Sequence, residues 1–272
     1  FLEMALTSFE PPSPIPMKLF FQEYGTGQPL IILHGLLGSL DNWHTLSKTF
    51  ATAFRVLAVD LRNHGRSPHS NIFTYSAMAE DVLELMDAQH IGSAHLLGHS
   101  MGGKVAMQLA VSYPERVDKL IVVDIAPRAY PRIHDEILEA LISLNLTGLQ
   151  SRQQVEDELA RNIPDLALRQ FLMKNLTRDP SGAFSWKANL DVISRNYEEI
   201  AREIGATRSF SKPTLFVKGD RSDYLLASDI SFIHRLFPSA VVSSIDAGHW
   251  IHAESPNCFA DVVLNFLGSP AT

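Results

Sequence analysis

Ser100 is the residue around which a reaction could be built. It sits in Gly98-His99-Ser100-Met101-Gly102, followed by Gly103, a G-x-S-x-G pattern. Such a serine stands on a sharp strand-to-helix turn, and the glycines two residues to either side leave room where side chains would collide. A pattern this short arises by chance in roughly one chain in ten of this size, so its setting decides. An apolar run, Ala94-His95-Leu96-Leu97, precedes it, and Val105, Leu109 and Ala110 recur at helical spacing after it. Strand, glycine-flanked serine and helix, in that order, describe a nucleophile held at the edge of a sheet. The competing reading is a structural turn serine.

A serine hydroxyl is a weak nucleophile and needs a base beside it. Of the eleven histidines, His249 follows the last apolar run, in Asp246-Ala247-Gly248-His249-Trp250, which brings it to the same sheet edge as Ser100. His252 lies three residues on and could share a helical face with it. No cluster of cysteine, histidine or carboxylate accompanies the pair, so no metal site is expected. Two backbone N–H groups must meet the negative charge that develops during acyl transfer. Met101, at the positive end of the helix after the serine, is one candidate. Leu36, after the tight turn in His34-Gly35-Leu36-Leu37-Gly38, is the other. The acid that orients the base stays open. Asp124 ends one apolar run, while Asp220 and Asp223 lie in Gly219-Asp220-Arg221-Ser222-Asp223 after the next. Asp124 could instead cap a first turn, and Asp223 could simply order its loop.

These residues share a setting. Continuous apolar runs at 30–33, 54–59, 94–97, 120–123, 214–217 and 240–245 stop at glycine or a polar residue, as strands buried on both faces of a parallel sheet do. Residues 17–24 add a strand closed by Gly25-Thr26-Gly27. Between the runs lie helical stripes such as Met78, Val82, Leu85 and Met86. The alternation predicts an α/β, doubly wound sheet with helices on both faces and chemistry at the carboxyl ends of its strands. Residues 127–211 break the alternation. Their stripes (Ile137, Leu138, Leu141, Ile142; Val155, Leu159, Ile163; Leu168, Phe171, Leu172, Leu176; Val192, Ile193, Ile200) read as four helices, with a turn at 178–182. One crossover does not need four helices, so 127–211 are expected to form a helical cap on a core of 17–126 and 212–268. Phe171, Phe184, Trp186 and Tyr197 are its candidate substrate-lining residues, each with plain core as the alternative. Prolines 11, 12, 14 and 16 mark 1–16 as an extended lead-in, with Met4 the expected natural start and residues 1–3 an added remnant.

Composition narrows the partners. The 272 residues are 46% hydrophobic and 19% charged, a balance that suits a globular domain with an insertion. A formal net charge of -7 repels phosphate backbones, so nucleic acid is not an expected partner. No run approaches the ~20 apolar residues that span a bilayer, and the first ten residues lack the basic start and apolar run of a signal peptide. The single cysteine, Cys258, excludes an internal disulfide and suits a reducing cytosol, so a cytoplasmic monomer or homodimer is expected. Cys258 falls in the pattern of Phe259, Val262, Val263 and Phe266 and reads as a buried filler.

Four segments together, 34–39 (HGLLGS), 60–67 (DLRNHGRS), 98–103 (GHSMGG) and 248–250 (GHW), resemble the α/β-hydrolase superfamily over residues 17–268. HGLLGSLDNW at 34–43 and Val123-Asp124-Ile125-Ala126-Pro127 resemble a narrower branch of small bacterial serine esterases, active on acyl esters and acyl-CoA thioesters. The resemblance implies a cap inserted after the sixth strand, a carboxylesterase working through an acyl-enzyme, and no cofactor. It implies a structural role for 60–67. The acid of the superfamily usually stands three residues after the later glycine, where this chain has Ser222; in the narrower branch it matches Asp124. Charged residues Glu156, Asp157, Glu158, Arg161 and Lys174 off the apolar stripes point to an enclosed pocket, and so to short-to-medium acyl esters. Acyl-CoA thioesterases, C–C bond hydrolases and perhydrolases use the same triad, and a small-ligand receptor could use the same scaffold, so the fold does not rank them.

Overall fold

The computed structural model describes residues 17–205 and 208–268, so the lead-in expected over 1–16 lies outside the described residues. Each apolar run becomes a strand. In chain order these are β1 (Phe21–Tyr24), β2 (Gln28–Leu33), β3 (Phe54–Val59), β4 (Ala94–His99), β5 (Val117–Val123), a short pair β6 (Leu176–Arg178) and β7 (Phe184–Trp186), then β8 (Thr214–Gly219) and β9 (Ala240–Ile245). Seven of them form one sheet in the order β1-β3-β2-β4-β5-β8-β9. Only β1 runs antiparallel to its neighbour; every other pairing is parallel.

Continuous apolar runs suit this sheet because both faces are covered. Along β2, Ile31 and Leu33 join the core on one face, while Leu30 and Ile32 join the core on the other. β5 does the same with Leu120 and Val122 against Ile121 and Val123, as the two-residue period of a strand requires. Helices α1 (His44–Phe50), α2 (Tyr75–Ala88) and α3 (Met101–Ser112) divide between the faces, α1 on one, α2 and α3 on the other.

Between β5 and β8 the chain makes α4 (Asp135–Ser143), α5 (Arg152–Leu159), α6 (Leu166–Leu172), the β6–β7 hairpin, α7 (Leu190–Arg195) and α8 (Tyr197–Ala201). The expected all-helical insertion is therefore interrupted by a hairpin. Asp179 drives it: its backbone N–H donates to Ala183 O at 3.0 Å, and its carboxylate accepts from Ser181 Oγ and the Ala183 N–H. Gly182 supplies the left-handed φ of 92° that the turn needs. The insertion follows the fifth strand among the described residues, not the sixth, since one strand forms per apolar run. It is tied to the carboxyl edge of the sheet by Tyr75 Oη to Ile200 O at 2.5 Å, Asn189 N to Asn63 O at 2.9 Å and Asn175 Nδ2 to Leu37 O.

The chain closes with α9 (Ile230–Leu236), α10 (Ile251–Glu254) and α11 (Pro256–Gly268). Phe259, Val263 and Leu267 of α11 are buried, a spacing of four. Cys258 lies off that stripe and is exposed, which corrects the buried position expected for it. Among the described residues no helix is long and apolar enough to cross a membrane.

Candidate active site

Ser100 ends β4 and begins α3 with φ 51° and ψ −119°, a conformation that costs a non-glycine residue on the order of 1–3 kcal/mol. The elbow is too tight for side chains beside it. A Cβ on Gly98 would lie 2.2 Å from Gly102 O, and one on Gly102 would lie 2.4 Å from Leu33 O. Hydrogen bonds hold the strain in place: Ser100 N donates to Val123 O at 2.9 Å, and Lys104 N donates to Ser100 O at 3.1 Å.

The strand order sets the rest. β2 and β5 flank β4, and β8 and β9 follow β5, so the loops bearing Leu36, Ser100, Asp124, Ser222 and His249 succeed one another along a single edge. Asp124 is fully buried with a left-handed φ of 50°. Its Oδ2 accepts from His249 Nδ1 at 2.8 Å and from Ser222 Oγ; its Oδ1 accepts from the Gly219 N–H at 2.9 Å. A proton on Nδ1 leaves His249 Nε2 free to accept. Asp220 and Asp223 are exposed and do not reach this histidine. Ser222 occupies the place where the superfamily's usual acid would stand, and it donates to the carboxylate that His249 meets.

The loop bearing Leu36 is fixed from behind. Leu37 has a left-handed φ of 57°, and its N–H donates to His64 Nε2 at 3.2 Å. His64 Nδ1 donates in turn to Arg62 O at 3.0 Å. His34 repeats the device, donating from Nδ1 to Gly35 O at 2.8 Å and accepting the Leu61 N–H on Nε2 at 3.0 Å. Each ring must be neutral to accept, and burial pushes His34 down to about 4 and His64 down to about 3. Asp60 accepts from Leu40 N and Arg66 N, and Arg62 forms a buried two-pronged ion pair with Asp81. The 60–67 segment is the scaffold behind the site.

Ser100, His249 and Leu36 line a cavity of about 240 Å³ whose walls include Ile133, Ile137, Leu168, Phe171, Leu172 and Trp250. Of the four aromatic candidates in the insertion, Phe171 lines this cavity, its ring 5.5 Å from that of Trp250. Tyr197 lines a smaller chamber of about 40 Å³ that also touches Leu36, Ser100 and Met101. Phe184 and Trp186 line neither. They belong to the hairpin, where Phe184 is buried and Trp186 Nε1 donates to Leu141 O at 3.2 Å. His252 stacks on Trp43 at 4.4 Å and does not meet Asp124. Among the described residues no three metal-ligating side chains converge. Sequence reasoning missed Tyr224 and His134, which also line the cavity; neither sits in a motif, and only the loop beside Ser222 could have flagged Tyr224.

Residues 28–256 match the family described as alpha/beta hydrolase fold. The chain is 40% identical over 256 residues to an sn-1-specific diacylglycerol lipase, ABHD11, of Danio rerio, covering 91% of this chain and 80% of that protein. It is 34% identical over 250 residues to Esterase YbfF of Escherichia coli strain K12, covering 90% and 95%. Among solved structures, a marine microorganism esterase superposes with a TM-score of 0.90 at 42% identity, covering 92% of this chain and 99% of that one. With its glycine-flanked serine on a sharp turn, its mostly parallel sheet and a family match over most of its length, the chain belongs to the α/β-hydrolase family.

Proposed function

We propose that this protein is a serine carboxylesterase that hydrolyses short-to-medium acyl esters through an acyl-enzyme. The observation that carries the reading is the joining of His249 Nδ1 to the buried Asp124 carboxylate at 2.8 Å beside a cavity that Ser100 and His249 both line. Ser100 Oγ attacks the ester carbonyl while His249 Nε2 takes its proton. The N–H groups of Leu36 and Met101 hold the resulting oxyanion. His249 then protonates the departing alcohol, leaving Ser100 acylated. Water attacks the acyl-enzyme by the same route, and the carboxylic acid leaves. Asp124 keeps the imidazole in the tautomer that accepts from serine. These steps draw on side chains, backbone and water alone. Ester-bond hydrolysis is supported by the relatives' names as well.

The cavity bounds the acyl group on this reading. Its 240 Å³ is below the roughly 300–1,000 Å³ of sites for drug-sized ligands. Ile137, Leu168, Phe171 and Leu172 of the insertion line it and Asp157, Arg161 and Lys174 are exposed, which supports reading the insertion as a cap. Each added methylene gains about 0.8 kcal/mol while space remains, then loses through overpacking. A series of p-nitrophenyl esters should therefore give kcat/KM that rises and then falls, peaking below a ten-carbon acyl group. Acyl-CoA thioesters and a diacylglycerol emulsion belong in the same series. A rate still rising at sixteen carbons, or a jump at the micelle threshold, overturns the enclosed-pocket reading, and no turnover of any ester would favour a receptor.

A further inference from the structure

The imidazole of His249 has a second contact besides Asp124. The ring of Tyr224 lies flat against it, with centroids 3.8 Å apart and planes 18° from parallel. Tyr224 is itself clamped at three points. Its N–H donates to Ser222 Oγ at 3.3 Å, its carbonyl accepts from Tyr130 Oη, and its Oη lies 3.2 Å from His134 Nε2. His134 Nδ1 lies 2.5 Å from Tyr197 Oη, whose oxygen also accepts the Ile133 N–H at 3.3 Å. A neutral His134 bridges the two hydroxyls, donating from one ring nitrogen and accepting on the other. Either the Tyr197 hydroxyl donates to Nδ1 and Nε2–H donates to Tyr224 Oη, or the Tyr224 hydroxyl donates to Nε2 and Nδ1–H donates to Tyr197 Oη; in both orders Tyr224 Oη is held through the ring. His134 must be neutral for this, and burial pushes it down to about 4.

We propose that Tyr224 is a positioning residue for His249, and that His134 and Tyr197, carried by the insertion, are the strut that fixes Tyr224. The inference rests on His249 being the base. A hydrogen bond to Asp124 alone leaves the imidazole free to swing about the Nδ1–Oδ2 axis. A ring stacked on one face removes that freedom and holds the imidazole at the cavity that Ser100 also lines. The stack also discriminates between charge states. After His249 takes the serine proton it is a cation against an aromatic face, an arrangement that is favourable and absent before the transfer, so it favours the transition state over the ground state. The insertion would then do more than cover the cavity: His134 lines it and braces the base through Tyr224.

Other groups face His249. Asp124 comes from the end of β5, His99 from β4 with ring centroids 4.7 Å away, and His252 from α10 and His134 from the insertion both feel its charge. Burial holds His99 well below the ordinary histidine range and His252 down to about 3, so neither adds a titration of its own near neutrality.

The test is the pH profile of kcat/KM for Tyr224→Leu and Tyr224→Phe beside the wild type, with His249→Ala as the reference. Tyr224→Leu should lower kcat about tenfold with KM changed less than threefold. Its acid limb should move to lower pH, since losing the aromatic face makes the imidazolium harder to form. Tyr224→Phe keeps the face but loses the hydroxyl that His134 meets, so it should hold the acid limb within about 0.2 pH unit of wild type while lowering kcat about threefold; an unchanged kcat would overturn the strut. Tyr224→Met, which fills the volume without a ring, serves if the leucine variant fails to fold, with the same expectation. In a variant without the ring, an unmoved limb with kcat within threefold of wild type, or a raised KM alone, overturns the inference and makes Tyr224 a wall of the cavity. A fully active His249→Ala would instead overturn the base assignment, a separate failure from that of the stack.

Discussion

Replacing Asp124 with asparagine tests the arrangement at its most buried point. Both carboxylate oxygens are in use: Oδ1 accepts from the Gly219 N–H at 2.9 Å, and Oδ2 accepts from His249 Nδ1 at 2.8 Å and from Ser222 Oγ. Asparagine has the same shape but offers one acceptor oxygen and one NH2 donor. With its oxygen toward Gly219, the NH2 faces His249 Nδ1. That nitrogen must then accept, which moves the ring proton to Nε2, where it cannot take the serine proton. With the amide flipped, the NH2 meets the Gly219 N–H, two donors facing each other at a fully buried site. The first arrangement costs less, so the wrong tautomer should dominate. The comparable substitution in a serine-protease triad lowers kcat by about 10⁴, equivalent to about 5.4 kcal/mol in activation free energy. Asp223→Asn, at an exposed carboxylate outside this network, should stay within about twofold of wild type. The assay is kcat on p-nitrophenyl butyrate, with circular dichroism to confirm folding. A folded Asp124→Asn that keeps a tenth of wild-type kcat, or a dead Asp223→Asn, refutes the reasoning.

Ser100→Ala should lose at least about 10⁴-fold in kcat with its fold intact, and a fluorophosphonate probe should label the wild type at Ser100; mass-spectrometric mapping to any other residue would contradict the proposed nucleophile. Gly98→Ala would bring a Cβ to 2.2 Å from Gly102 O. An overpacking cost of about 3 kcal/mol should lower Tm by roughly 6–12 °C, and an unchanged melt would mean that the elbow can relax. Acid should destabilise the fold through its buried histidines. His34 and His134 are pushed down to about 4 and His64 and His252 down to about 3, in each case chiefly by burial. The unfolded chain then binds more protons than the folded one between those values and pH 6.5. The stability they contribute is complete above pH 6.5 and is lost as pH falls toward 4 for His34 and His134 and toward 3 for His64 and His252, by up to about 1.4 kcal/mol per pH unit for each histidine. Asp60 and Asp81, raised by burial, act in the opposite sense. The urea midpoint should fall between pH 7 and pH 5, and a flat or rising midpoint would show that these histidines accept protons in place.

The sequence by itself determined the sheet and the elbow, because both are largely local. A buried parallel strand must be apolar on both faces, so 30–33, 54–59 and 120–123 announce themselves without partners. Gly98 is required by its contact with Gly102, four residues on, so that half of the turn under Ser100 is written in five consecutive positions, whereas Gly102 is required by the approach of Leu33 O from the neighbouring strand. Relations between distant segments are not written that way. Asp124 and Asp223 are equivalent as letters; strand order and the left-handed turn at Asp124 aim that carboxylate at His249, 125 residues away, and leave Asp223 in solvent. Ser222 looked like the loss of an acid and is a donor to the other one. Phe184 and Trp186 read as part of a helical insertion, but they pair into a hairpin and neither reaches the cavity. Tyr224 carries no motif at all, because a ring stacked on an imidazole needs only the right place, and place is decided by the packing of β8, β9 and the insertion against one another.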